Sequence, residues 1–441
     1  MFEDEKREVP WGQIILLVIG IVVGIISVEV LHFDLIPEDQ LLFCYLVALI
    51  SFFLSIVIHE LGHLVAGLAT GYRFVSFRVG TLSLCYFGDP PEPVEESEEG
   101  EEPPPEEEIP VEETPTEETI EARRQMQLEM GVPEILEELD LETLEEEEED
   151  EIDLEYIPRH FSLKKAKVPG TAGQCLLAPP NYKDPHHVPY KAYLMGGGIA
   201  NLISIPFSLI TLLIFPNAWL LVAIFVLIAL GTALSNLIPM KVSGLPNDGY
   251  NIKLCKNDPH SHAALVYQLR IAAALADGIS VGDMPEEWFY AKFPMSERMT
   301  LNPLIANLWN FTGDRFLIHG ELFQAKIIYE AIANAKGLML LMRIQGMYSY
   351  LFTMISEGRV EQVKIYLVPK HFQKQAKALE NYLPLYAMYR YGFGKLVVES
   401  GKIMKESMAK FEKAAKHYPY QGEILDARVL MDRLDDVIVM R

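Results

Sequence analysis

Cysteine is scarce in this chain: Cys44, Cys85, Cys175 and Cys255 are the only four among 441 residues, and no two form a C-x-x-C pair. That excludes a cysteine-built zinc site and gives no disulfide framework, so the four read as small apolar residues with free thiols. Basic residues are also few, 37 Lys and Arg against 62 Asp and Glu, and no nucleic-acid partner is expected. The imbalance is local. Residues 89–158 hold 31 acids and 2 arginines, while the remainder is close to neutral, so the formal net charge of −25 says nothing about the partners of the whole chain. Half of the residues are hydrophobic and the mean hydropathy is positive despite that charge. One uniform globular domain does not have this composition; alternating membrane-soluble and very polar segments do.

Four stretches are long and apolar enough to cross about 30 Å of hydrocarbon: Trp11–Leu31, Leu41–Ala69, Ala192–Phe215 and Trp219–Pro239. The last two are joined only by Pro216-Asn217-Ala218, which predicts a tight helical hairpin. The first is followed by acidic residues and lacks a small-residue cleavage site, so it reads as a retained span. Lys6, Arg7, Arg73, Arg78, Lys183, Lys191, Lys241, Lys253 and Lys256 flank alternate ends of the spans, and the loops at 32–40 and 216–218 carry no Lys or Arg. By the positive-inside rule this places both termini and the acidic insert in the cytoplasm, in a multi-pass integral membrane protein.

The second span contains His59-Glu60-Leu61-Gly62-His63. An ionisable group at the centre of a bilayer costs roughly 2.5–3.5 kcal/mol on insertion scales, so three within five residues call for a compensating role. Residues four apart share a helix face, so His59 and His63 can direct two imidazoles at one metal ion, with Glu60 beside them as general base. Catalytic zinc usually takes three protein ligands. The best third candidate is Asp248, an acid just after the fourth span, flanked by Pro246 and Gly249, which favour an irregular backbone folding back toward the bilayer. Taken alone, Asp248 also reads as a solvated residue of an N-D-G turn.

Together these elements resemble the site-two protease family of polytopic intramembrane zinc metalloproteases. The match rests on His59-Glu60-Leu61-Gly62-His63, on the glycine-rich "MGGGIAN" from Met195 to Asn201, and on Asn236, Pro239, Asp248 and Gly249. Gly198 stands where the family commonly has proline, and Asn247 where leucine is common. The resemblance implies Zn2+, one per chain, held by His59, His63 and Asp248, with Glu60 catalytic. It implies substrate-positioning roles for Gly197, Asn201, Asn236 and Pro239.

Tyr72–Phe87 and Phe161–Pro180 are rich in aromatic and β-branched residues and predict strands at the membrane surface, with Pro169-Gly170 as a turn. An exposed edge would align an unwound substrate by strand addition; a plain structural sheet explains the pattern equally well. His186 and His187 read as interfacial loop residues. The acidic insert reads as a disordered, solvated linker with one short helix near its end, or as a gate awaiting a basic partner. From His260 onward the apolar spacing is helical, and Gly320–Ala333 and Ser407–Pro419 resemble tetratricopeptide units.

The expected fold is mainly α: about four transmembrane helices with a small membrane-proximal β element, followed by a cytoplasmic, repeat-like helical domain. Residues 1–88 and 161–257 form the membrane core, 89–160 the insert and 258–441 the helical domain. The expected function is cleavage of membrane-anchored proteins in or near their transmembrane segments, with the lipid bilayer and a protein bound by the helical domain as partners. Two alternatives stay open: an inactive membrane scaffold that binds proteins through its helical domain, and an integral metalloprotease whose third ligand is a glutamate.

Overall fold

The computed structural model describes residues 41–88, 159–166, 172–242, 245–289, 301–366, 368, 370–380 and 382–437. The first expected span, Trp11–Leu31, and the acidic insert at 89–158 lie outside the described residues. What is described is mainly helical, with three helices long and apolar enough to cross a membrane and a small antiparallel sheet.

The three long helices are α1 (Leu41–Ala69), α2 (Tyr190–Ile214) and α3 (Trp219–Leu237). Helix α1 rises about 43 Å at 1.5 Å per residue, more than a hydrocarbon core requires. Its polar residues are not scattered. Ser51, Ser55, His59 and His63 recur every fourth residue and are all buried, while Leu46, Leu49, Phe53 and Val65 point outward and are exposed. The sequence thus gives α1 one polar stripe against its partners and an apolar remainder. Helix α2 meets that stripe closely because both helices carry glycine at the crossing. A Cβ at Gly62 would lie 2.2 Å from the Gly196 carbonyl oxygen, and one at Gly196 would lie 2.7 Å from the Ala66 methyl. Small residues are how membrane helices approach when no hydrophobic force separates lipid from protein.

The sheet has the order β3-β2-β1-β4, all antiparallel, with β1 at Arg73–Val79, β2 at Leu82–Gly88, β3 at Arg159–Lys165 and β4 at Gly173–Ala178. Both stretches read as strands therefore join one sheet. The β1–β2 turn passes through Gly80, whose φ of 61° favours glycine. Strand β4, "GQCLLA", lacks polar alternation because both of its faces are covered. Cys175 and Leu177 face the long apolar helices, Leu177 lying against Gly67 of α1. Leu176 and Ala178 face the other way and pack with Val75, Cys85, Ala273 and Ala276.

Beyond α3, a short helix α4 (Asp248–Asn257) leads into α5 (Pro259–Ala276), and the chain continues as successive helices to Arg433. Helices α6 (Pro303–His319) and α7 (Leu322–Asn334) form a hairpin around Gly320, which caps α6 at φ 82°. Ala325 and Tyr329 are fully buried in α7, as the spacing predicts. A hollow of about 190 Å3 in this region is lined by Asp314, Glu423 and Asp426, and its wall carries no Lys, Arg or His among the described residues. Burial pushes these carboxyls up, to about 7, about 8 and about 6 respectively, although Tyr329 donates to Asp314 at 2.6 Å and Tyr418 to Glu423 at 2.7 Å.

The sign of the consequence follows from linkage. From the ordinary carboxylate range near pH 4 up to the raised values, the folded state holds protons that the unfolded chain has released, so stability falls as pH rises and is lowest above about 8. Glu423→Gln is expected to raise the stability of the helical region at pH 8.5 by on the order of 3 kcal/mol and to change it little at pH 4. Thermal unfolding at the two pH values checks this, and an equal gain at both would sink the burial account.

Candidate metal centre

Helix periodicity puts His59 and His63 on one face of α1, and tertiary contacts fix which way they point. The Nδ1 of His63 lies 2.7 Å from the carbonyl oxygen of Tyr193 on α2. A carbonyl only accepts, so Nδ1–H donates and Nε2 is left as the lone-pair nitrogen. That Nε2 lies 3.1 Å from Nε2 of His59. Asp248 completes the group, with Oδ2 at 3.3 Å from His59 Nε2 and 3.4 Å from His63 Nε2.

This triangle has the size a metal requires. Tetrahedral zinc with ligand bonds of about 2.0–2.1 Å separates its ligand atoms by about 3.3–3.4 Å. Two imidazoles and one carboxylate also match zinc's preference in kind. Among the described residues, His59, His63 and Asp248 are the one group of three or more His, Cys, Asp or Glu placed to hold a metal ion. The Nδ1 of His59 is buried and has no hydrogen-bond partner among the described residues, where only His63 of the two imidazoles is oriented by a carbonyl.

Asp248 reaches the site through a local device that the sequence reading missed. The chain leaves α3 and makes a two-stranded hairpin, β5 (Lys241–Val242) with β6 (Leu245–Pro246), which brings it back to the helix end. Asn247 then locks the return. Its Nδ2 donates to the carbonyls of Ser235 and Ile238, both at 2.6 Å, and its Oδ1 accepts from Met240 N at 3.1 Å and Tyr250 N at 2.8 Å. The last of these is an N-cap, so Asp248 is the first residue of a helix and not part of an irregular or solvated turn. Gly249 permits the approach, since a Cβ there would lie 2.3 Å from the Leu237 carbonyl oxygen.

Glu60 is buried and packs against strand β4: a Cβ on Gly173 would lie 2.5 Å from Glu60 Oε1. Gly197 forms the floor of the site, where a Cβ would lie 2.5 Å from His59 Cε1 and 2.6 Å from His63 Nε2. The other expected substrate-positioning residues stand as follows. Asn201 is fully buried and accepts from Ser55 Oγ at 3.4 Å, one helical turn from His59, and its Nδ2 has no partner among the described residues. Asn236 donates back to its own helix, to Thr232 O at 3.0 Å, and Pro239 is exposed after the end of α3. Gly198, in the position where proline is common, lies against the Leu237 side chain. Tyr193, Gly173 and Asn247 were missed. Only Asn247, as an Asn before a helix start, carries a local signal. An apolar cleft of about 1170 Å3 runs along α1 and α2, and His59, His63 and Asp248 are not among its lining residues.

Gly197→Ala is expected to push the imidazoles apart and weaken zinc binding by 10- to 100-fold or more, on the scale seen for disturbed outer-shell partners. Gly231→Ala is the control, since a Cβ there meets nothing within 4 Å. A chelator competition titration checks the pair, and equal affinities would remove Gly197 from the site. No protein-family model, curated protein or solved structure matches the chain, so the reading of the site rests on its own geometry.

Proposed function

We propose that this chain is a zinc-dependent intramembrane endopeptidase of the site-two protease kind. The observation that carries the reading is the triangle of two Nε2 atoms and one carboxylate oxygen, set in a helix long and apolar enough to span a membrane, with a glutamate next in sequence. Such a constellation inside an apolar helix has no packing purpose that Leu or Ala would not serve better. The complete ligand set also favours an enzyme over an inactive scaffold.

His59, His63 and Asp248 hold the metal. Bound zinc supplies a Lewis acid for the scissile carbonyl and draws the pKa of a nearby water toward neutrality. Glu60 takes a proton from the attacking water and returns it to the leaving amine, so a C–O bond forms as the C–N bond breaks. Strand β4 presents the substrate. It is an edge strand, and Gly173 lies against Glu60. The Tyr193 hydroxyl already donates to the Cys175 carbonyl at 2.8 Å, which marks that side of the strand as its outer edge. Backbone alternation turns the amide and carbonyl of Gly173 to the same side. An unwound segment added there would run past Glu60. The substrates are membrane-anchored proteins cut in or near a transmembrane segment. In this reading Trp11–Leu31 is a fourth span, and both termini, the acidic insert and the helical region face the cytoplasm.

Detergent-purified protein is expected to carry about one zinc per chain by mass spectrometry, with sharp loss in His59→Ala and Asp248→Ala. Glu60→Gln is expected to keep the metal and to cleave a single-span membrane-anchored reporter about 100-fold more slowly or worse. Wild-type protein without zinc would overturn the reading. Zinc lost in His59→Ala but kept in Asp248→Ala would mean a different third ligand.

A further inference from the structure

Strand β4 is held from two sides. Its odd residues face α1 and α2: Gly173 touches Glu60, the Cys175 carbonyl accepts from Tyr193, and Leu177 packs on Gly67. Its even residues face the C-terminal helices, with Leu176 and Ala178 in the cluster that contains Ala273 and Ala276 of α5. The even residue next to Gly173 is Gln174. Its Nε2 donates to the hydroxyl of Tyr420 at 3.0 Å, a contact that joins residues 246 apart in sequence. Tyr420 immediately precedes the helix Gln421–Arg433, and it packs against the same small apolar cluster. Two further contacts tie the region to the sheet: Arg73 with Asp277 at 3.7 Å, and His417 Nδ1 donating to the Lys165 carbonyl at 3.2 Å.

The path from the helical region to the general base is therefore short. Tyr420 holds Gln174, Gln174 is bonded to Gly173 along the chain, and Gly173 sits against the Glu60 carboxylate with no side chain between them. Without the Tyr420 contact, the Gly173 end of β4 would keep its register with β1, in which Val79 faces Gly173 and Arg78 faces Gln174, but would lose its lateral anchor.

We propose that Gln174 and Tyr420 are positioning residues for Glu60, and that the C-terminal helical region is thereby a working part of the metal centre and not an appended module. The catalytic half of the proposal rests on the peptidase reading; the structural half does not. Anything that moves the Tyr418-Pro419-Tyr420 segment, whose Tyr418 and following Glu423 also line the acidic hollow, would reach the metal centre through this contact.

Tyr420→Phe keeps the ring and deletes the hydroxyl, and Gln174→Met keeps the length and deletes the amide. In full-length protein, hydrogen–deuterium exchange of the peptide covering Gly173–Ala178 is expected to speed up about five- to tenfold in either variant, the scale of one hydrogen bond. Exchange in α7 and zinc content are expected to stay unchanged. Cleavage of the single-span reporter is expected to lose a similar factor in kcat with KM unmoved, and Tyr420→His, whose ring can still accept from Gln174, to recover part of it. Unchanged exchange at β4, exchange that rises equally throughout the helical region, or a change in KM alone would each overturn the proposal. A wild-type protein with no peptidase activity would remove the peptidase reading instead, and the exchange at β4 would then decide the positioning contact by itself.

Discussion

The close approach of α1 and α2 is the constraint on which the rest of the structure depends. With Gly62 and Gly196 in contact, the backbones come near enough for the Tyr193 carbonyl to reach His63 Nδ1 and for Gly197 to lie directly beneath both imidazoles. A single methyl at any of these glycines would occupy space that a backbone or an imidazole already fills. The stripe of Ser51, Ser55, His59 and His63 is the counterpart on the other helix. Ser55 donates to Asn201 one turn from His59, and His63 meets the Tyr193 carbonyl, so two polar groups of α1 are paired with α2.

Two elements outside the long helices then complete the centre, and each enters by backbone geometry. The first is the hairpin after α3, pinned by the four hydrogen bonds of Asn247, which delivers Asp248 at the start of a helix. The second is strand β4, which meets Glu60 at a glycine. Three charged or chargeable groups gathered in a low-dielectric setting are tolerable only when they are paired or hold an ion. The carboxylate between the two imidazoles meets the first condition, and the 3.1–3.4 Å spacing suits the second.

How much of this was legible depends on the range of the interaction. The His59–Glu60–His63 unit is a local pattern with a helical period, and its apolar surroundings made it conspicuous. The three described spans and the strands of the sheet were also readable, because hydropathy and β-branched runs are local properties. Asp248 was legible only by its setting after an apolar helix, and its conformation was misread: N-D-G suggests a turn, whereas the Asn247 side chain caps a helix by accepting from Tyr250 N, and is itself held by bonds to Ser235 and Ile238 that no local pattern announces. Gly197 was assigned to substrate from the resemblance; its contact with both imidazoles belongs to three-dimensional space. Gly173 and Tyr193 carry no signal at all in sequence, since their roles consist entirely of what lies opposite them.

Strand β4 shows why the helical region cannot be treated as separable. A sheet exposed to water on one side would show alternation in its strands, yet "GQCLLA" is apolar at both Leu176 and Leu177, and those two neighbours face opposite directions. The strand therefore needs cover on both faces: the long apolar helices supply one and α5 with Tyr420 the other. Remove the helices, and Val75, Leu176 and Ala178 would meet water at the strand that carries the contact to Glu60. The sheet is thus a shared wall, and the sequence of its edge strand already requires both of the bodies that it separates.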